Sequence, residues 1–232
     1  MLVSQSEEMQ LGAAAFSEMK TNVPISKDPK ANELVQRVGK RIASVVNLTN
    51  AQWEFVVFES KEANAFCLPG GKIGVYTGIL PITKDDAGLA KVLGHEVAHA
   101  TLHHGAERMS REMFRSGLGQ GVSAGLGMAG ADARVVSVSQ TIYGTGAQLL
   151  EALPHSRAQE SEADHRGLLY MAWAGYDPQA AVAFWQRFAA FNKQSGGGDT
   201  LWFLRTHPLD DARIKQLQQW VPEAKAQQRS PR

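Results

Sequence analysis

Cysteine is all but missing from this chain. Cys67 is the only one in 232 residues, which excludes an intrachain disulfide framework and any cysteine-built metal site. An excess of one charge is missing too, with 24 Lys+Arg against 23 Asp+Glu and a formal net charge of +1. Nothing here builds a basic stripe that would release counterions from phosphates, so a nucleic-acid binder is not expected. Long apolar runs are scarce. The least polar stretch, residues 116–150, is divided by Asp132 and Arg134, and each half falls short of the roughly 20 residues a spanning helix needs. Its first half, SGLGQGVSAGLGMAGA, is rich in glycine, which costs a helix up to about 1 kcal/mol per residue relative to alanine. The expectation is a mobile small-residue segment that packs over a neighbouring surface or rests on a membrane. The first eight residues, MLVSQSEE, have neither a basic nor an apolar region of the signal-peptide kind. Such a start fits a cytosolic protein and equally an exported one whose leader has been removed.

What is present suffices for a globular core: 44% of residues are apolar and net charge is near zero, which argues against disorder. No repeat or long linker demands two domains. Residues 1–222 are expected to form one domain, followed by a frayed polar tail over 223–232. Helical periodicity runs over residues 6–20, with Ser6 as the expected N-cap, and over 31–47, where Leu34, Val35, Val38, Ile42 and Val45 share a face. Between Trp53 and Thr77 the period changes. WEFVVFES and KIGVYT, on either side of the turn signal Pro69-Gly70-Gly71, read as two or three short strands, with Asn64-Ala65-Phe66 leading into the connection between them. Helix returns behind Thr83, whose spacing to Asp86 fits a capping box, and again behind Ser156 with Gln159. Gly175 should end that second helix. Asp177-Pro178 should begin another through Phe191, and a last helix is expected over about 208–220.

The residues that carry chemistry are His95-Glu96-Val97-Ala98-His99. In a helix, histidines at i and i+4 project from one face and can reach one metal ion, while Glu96 lies about 100° round and can touch a water on it. That arrangement suits a zinc hydrolase, because zinc lowers the pKa of bound water towards about 7 and a carboxylate can take its proton. A third protein ligand is then required. His103 is excluded, since eight helical residues span about 12 Å, too far for His95 and His103 to share an ion. Leu102 and Gly105 also break the metzincin pattern. His103 and His104 are expected at the surface near a helix end. The better candidate is Glu160 in Glu160-Ser-Glu-Ala-Asp164. Glu160 and Asp164 share a helix face, so Glu160 can bind zinc while Asp164 accepts the other ring N–H of a ligand histidine. Glu162 points about 200° away. Without the upstream histidines the same run would read as a solvated, dipole-stabilised first turn.

HEVAH, then ESEAD, then Thr206-His207-Pro208 with Arg213-Ile214, together with Asn64-Ala-Phe-Cys-Leu-Pro-Gly-Gly-Lys-Ile-Gly-Val-Tyr-Thr-Gly78 ahead of the zinc helix, resemble the gluzincin family of CAAX prenyl endopeptidases. That family includes HtpX-type membrane proteases, mitochondrial OMA-type proteases and exported bacterial relatives. The likeness spans roughly residues 6–220 and is nearest the exported, membrane-associated branch, since the spanning helices of the membrane members are missing. It implies an α+β, mostly helical, zincin-like fold with a small β-sheet whose edge strand lines the active-site cleft. It also implies one zinc ion per chain on His95, His99 and Glu160, with Glu96 as general base and then acid, and Asp164 behind a ligand histidine. His207 would face the metal, either stabilising the oxyanion or closing the site as a temporary fourth ligand; alternatively it is an N-cap-like residue before Pro208. Arg213 would reach the same region or lie on a helix surface. Lys72, Ile73, Gly74, Val75 and Tyr76 would form the edge strand that holds substrate as an added antiparallel strand. Cys67 would be a small packed residue, and residues 116–150 a lid over the cleft.

The resulting expectation is a zinc metalloendopeptidase acting on misfolded or membrane-associated polypeptides, in the periplasm or otherwise at the cell envelope, with peripheral membrane association. A cytoplasmic location stays open. Two rivals accompany it: a chaperone-like binding module for unfolded proteins with latent protease activity, and a zinc hydrolase of small molecules.

Overall fold

A computed structural model describes residues 4–115, 155–194, 202–207 and 211–230. The glycine-rich segment 116–150, and with it the expected lid, lies outside the described residues. Helix α1 (Gln5–Asn22) starts behind Ser4, not Ser6, because Ser4 and Glu7 bond reciprocally as a capping box. Helix α2 (Pro29–Ala43) starts with proline in its first turn behind Asp28, whose carboxylate accepts from the Lys30 amide. Strands β1 (Glu54–Phe58), β2 (Ala65–Leu68) and β3 (Lys72–Tyr76) follow. Then come a short helix α3 (Leu80–Thr83), the motif helix α4 (Asp86–Thr101), and α5 (His104–Arg115). Beyond residue 154 lie α6 (Arg157–Trp173), α7 (Gln179–Gln194), α8 (Trp202–Thr206) and α9 (Asp211–Ala226). The architecture is the α+β, mostly helical one with a small sheet. No helix among the described residues is long and apolar enough to cross a membrane.

The sheet has the order β1-β3-β2, with β1 parallel and β2 antiparallel to β3. This corrects the expectation for Lys72–Tyr76. Both edges of β3 are hydrogen-bonded to neighbours, so that strand has no free backbone groups to offer a substrate. The sheet's outer strands are β1 and β2, and β2 covers residues expected to lead into the connection between strands. Alternation does the rest. Phe55 and Val57 of β1 and Ile73 and Val75 of β3 enter the main core with α2, α4, α6, α7 and α9. Phe58, Phe66 and Tyr76 enter a smaller aromatic core against Phe16 of α1. Their rings meet edge-on or offset, with centroids 5.9 Å apart for Phe58–Tyr76. Gly74 is the one position on β3 where a Cβ would drive into the Phe66 ring.

Other boundaries shift for local reasons. Asp85, one residue before α4, is its N-cap and accepts from the Gly88 amide, whereas Thr83 belongs to α3 and bonds the Leu80 carbonyl. Ser156 and Gln159 do form the expected box, and Gly175 ends α6 at φ 78°. The tail after Pro222 is not frayed at its start. Helix α9 continues to Ala226, Ala224 is buried, and the Arg229 amide bonds the Ala172 carbonyl.

The contact that sets the site is the crossing of α4 and α6. A Cβ on Gly167 would sit 2.8 Å from the His95 amide nitrogen and 2.9 Å from its Cα, and one on Gly94 would sit 2.9 Å from the Gly167 carbonyl oxygen. Backbones approach this closely only where no side chain intervenes. Gly167→Ala must therefore push α6 away from the motif helix. It should destabilise by about 1–3 kcal/mol as overpacking does and lower activity by displacing Glu160 from the histidines. Thermal melting and cleavage rate check it; an unchanged melting temperature with full activity would refute the close approach.

Candidate active site

His95 and His99 stand one helical turn apart on the buried face of α4, and Glu160 and Asp164 one turn apart on the facing side of α6. Two i, i+4 pairs on crossing helices converge on one point. The Nε2 atoms of His95 and His99 are 3.1 Å apart. Glu160 reaches both, with Oε1 3.3 Å from His99 Nε2 and Oε2 3.5 Å from His95 Nε2. Ligand atoms about 2.1 Å from a tetrahedral zinc ion are ~3.4 Å from one another, so this donor set has the spacing such an ion demands. Two nitrogens and one carboxylate oxygen are also the donor types of catalytic zinc.

The electrostatics favour ligation. Burial holds His99 well below its ordinary pKa, opposed by its bond to Glu160, so the imidazole is neutral. Burial alone would raise the Glu160 carboxyl, but His207 and Arg213 outweigh it and keep it well below the usual range. Glu96 is buried beside the trio, and burial pushes its pKa up against the pull of His207 and His95. Its Oε1 has no hydrogen-bond partner among the described residues.

His207 sits on the far side. Its Nδ1 is 3.2 Å from His95 Nε2 and 2.8 Å from Glu160 Oε1, and its Nε2 is 3.4 Å from Glu96 Oε1. The ring is buried at the end of α8, resting on Phe203 with centroids 4.5 Å apart. All four residues, His95, His99, Glu160 and His207, offer donor atoms within 4.8 Å of one another.

Asp164 does more than face one histidine. Its Oδ1 lies 2.9 Å from His95 Nδ1 and 2.8 Å from Lys91 Nζ, and both its oxygens accept from Arg213. Burial would raise its pKa, but Arg213, Lys91 and His95 hold it well below the usual range. Arg213 also reaches Glu160 Oε2 at 2.6 Å and stacks over Trp185 with its guanidinium carbon 4.3 Å from the ring centre. Arg213 is thus buried against both carboxylates, and the helix-surface alternative for it falls away.

Three residues escaped the reading of the sequence. Lys91 is 1% exposed and one turn before His95, so the stripe Lys91–His95–His99 was available as a signal. His155 stacks on His99 with ring centroids 3.8 Å apart; a lone histidine before an N-cap carries no such signal. His104 was expected at the surface and is buried instead. The five residues Lys72–Tyr76 do not line the cleft. It is lined by Asn64 to Pro69, which include β2, facing Glu96, His99 and His207 across a space of about 590 Å³ that opens to solvent. Cys67 is one of these lining residues and is half-buried; burial and the nearby Glu96 raise its thiol pKa.

This fold and site define a metallopeptidase of the HExxH class, with Glu160 beside the two motif histidines. The chain belongs to peptidase family M48, whose sequence model matches residues 29–221. The mitochondrial metalloendopeptidase OMA1 of Schizosaccharomyces pombe is 40% identical over 190 residues, covering 82% of this chain and 53% of that protein. OMA1 of Saccharomyces cerevisiae is 37% identical over 187 residues, covering 76% and 49%. The beta-barrel assembly-enhancing protease of Escherichia coli K12 is 26% identical over 215 residues, covering 91% and 43%. The chain spans about half the length of the curated relatives it matches.

Proposed function

We propose that this chain is a zinc-dependent endopeptidase that cleaves extended segments of misfolded or membrane-associated polypeptides at the cell envelope. The observation that carries the reading is the convergence of His95, His99 and Glu160 at tetrahedral spacing beside the buried carboxylate of Glu96.

Bound zinc would polarise the scissile carbonyl and acidify an attacking water. Every other part is supplied by side chains. Glu96 takes the proton from the water and delivers it to the leaving amine. His207 lies across from Glu96 and donates to the oxygen on which negative charge develops. Strand β2 holds the substrate as an added strand, because it lines the cleft and its outer edge has no strand partner among the described residues. A strand-lined open cleft favours a polypeptide substrate over a small molecule. The envelope setting draws on the relative named for β-barrel assembly.

The test is zinc content with casein cleavage. One zinc per chain is expected, with cleavage lost to a chelator and restored by zinc. A chain that takes up no zinc after purification and supplementation would refute the metal reading; a zinc-loaded chain with no cleavage of casein or of a denatured membrane protein would refute the peptidase.

A further inference from the structure

The motif helix stops early. Had α4 run on, residue 104 would lie about 140° round the axis from His99 and face elsewhere. Instead Leu102 caps the helix, and His103 adopts φ 54°, a left-handed conformation that histidine tolerates only where its surroundings hold it. The holding group is on α1: Glu8, itself buried, places Oε2 2.9 Å from His103 Nδ1. The chain doubles back, and His104 begins α5 with its ring 2.8 Å, Nδ1 to Nδ1, from His99. His104 is 2% exposed. Its other nitrogen, Nε2, is 3.2 Å from Glu162 Oε2 on α6.

We infer that His104 and Glu162 form a relay that positions the metal ligand His99. The inference rests on the zinc reading above and extends it. His99 turns Nε2 towards His95 and Glu160, so a ligating His99 keeps its proton on Nδ1. That N–H donates to His104 Nδ1, which must then be unprotonated. His104 therefore carries its own proton on Nε2 and donates it to the Glu162 carboxylate. One choice of ligand atom sets the tautomers of two rings. The two ligand histidines are thus supported differently. His95 is backed by a carboxylate buried among cations, whereas His99 is backed by a neutral imidazole that ends on a carboxylate 65% exposed. Groups that orient metal-bound histidines in this way are worth about 10–100-fold in metal affinity.

The experiment is zinc competition against a chelator of known affinity, with visible absorption of the cobalt-substituted protein, on wild type, His104→Leu, His104→Asn and Glu162→Ala. His104→Leu should weaken zinc by about 10–100-fold and shift the cobalt bands. His104→Asn, which keeps an acceptor oxygen where Nδ1 sits, should recover most of the loss. Glu162→Ala should cost roughly threefold or more, at the low end because the carboxylate is solvated, with no change in the melting of the metal-free protein. Zinc held by His104→Leu within about twofold of wild type overturns the relay, and so does a loss that His104→Asn does not restore. A second zinc equivalent that disappears with His104 also overturns it, since His104 would then be a ligand. Should His104→Leu fail to fold, Glu162→Ala decides, and unchanged zinc affinity there overturns the relay. No zinc on wild type is a different result: it fails the metal reading itself.

Discussion

Glu96→Gln retains zinc and loses peptide cleavage by about 10²–10⁴-fold, the range a general base contributes. Glutamine fills the same volume on α4 and leaves His95, His99 and Glu160 where they are, so the ligand spacing survives. It cannot accept the proton of the attacking water at neutral pH. The magnitude belongs to Glu96 because the other carboxylates described around the cleft are engaged elsewhere, Glu8 by His103. Glu160 is engaged by His99, His207 and Arg213, and Asp164 lies behind His95, held by Lys91 and Arg213. Zinc analysis and casein cleavage on the same preparation check the result. Equal loss of zinc and activity would make Glu96 a structural support, and full activity would remove it from the mechanism.

Asp164→Ala is expected to cost about 3–5 kcal/mol of stability. Asp164 accepts from Lys91 and Arg213 and lies 2.9 Å from His95 Nδ1, all three partners buried. Without it, two buried side chains that carry positive charge lose their shared counter-charge, although Arg213 retains its contact with Glu160. For a chain of this size each kcal/mol moves the melting temperature by roughly 2–4 °C, so a fall of about 6–20 °C follows. The melt should be run in chelator, which separates this loss from any loss of bound zinc. Lys91→Met should cost less, because Asp164 retains Arg213 and His95 and because burial already lowers the Lys91 pKa. A melting temperature for Asp164→Ala within about 1 °C of wild type would show that the cluster is not an ion network.

Buried charges of this density are costly to desolvate, and here they lie directly behind the ligands. Arg213 bridges Glu160, the carboxylate beside the two histidines, and Asp164, the one behind His95. The cluster therefore ties α4, α6 and α9 to one geometry at the place where an error of a fraction of an ångström would matter to the site.

Much of this site is written in the helical period. His95 and His99, and likewise Glu160 and Asp164, are four residues apart, and that spacing places each pair on one face before any packing is known. The caps at Ser156 and Gly175 are equally local, since each depends on bonds within a few residues. What the chain could not announce is anything that depends on which elements become neighbours. Strand alternation in KIGVYT identifies a strand but not its place in a sheet, and pairing with both β1 and β2 is what moved the free edge from Lys72–Tyr76 to Ala65–Leu68. Arg213 reads equally as a surface or a site residue until α9 packs against α6 and Trp185. His104 reads as one until a left-handed His103, held by Glu8 from the far end of the chain, turns it back onto His99. Periodic spacing is a property of one helix and is legible in one segment. Edge, burial and the partner of a ring nitrogen are properties of two segments brought together, and only the packed structure decides them.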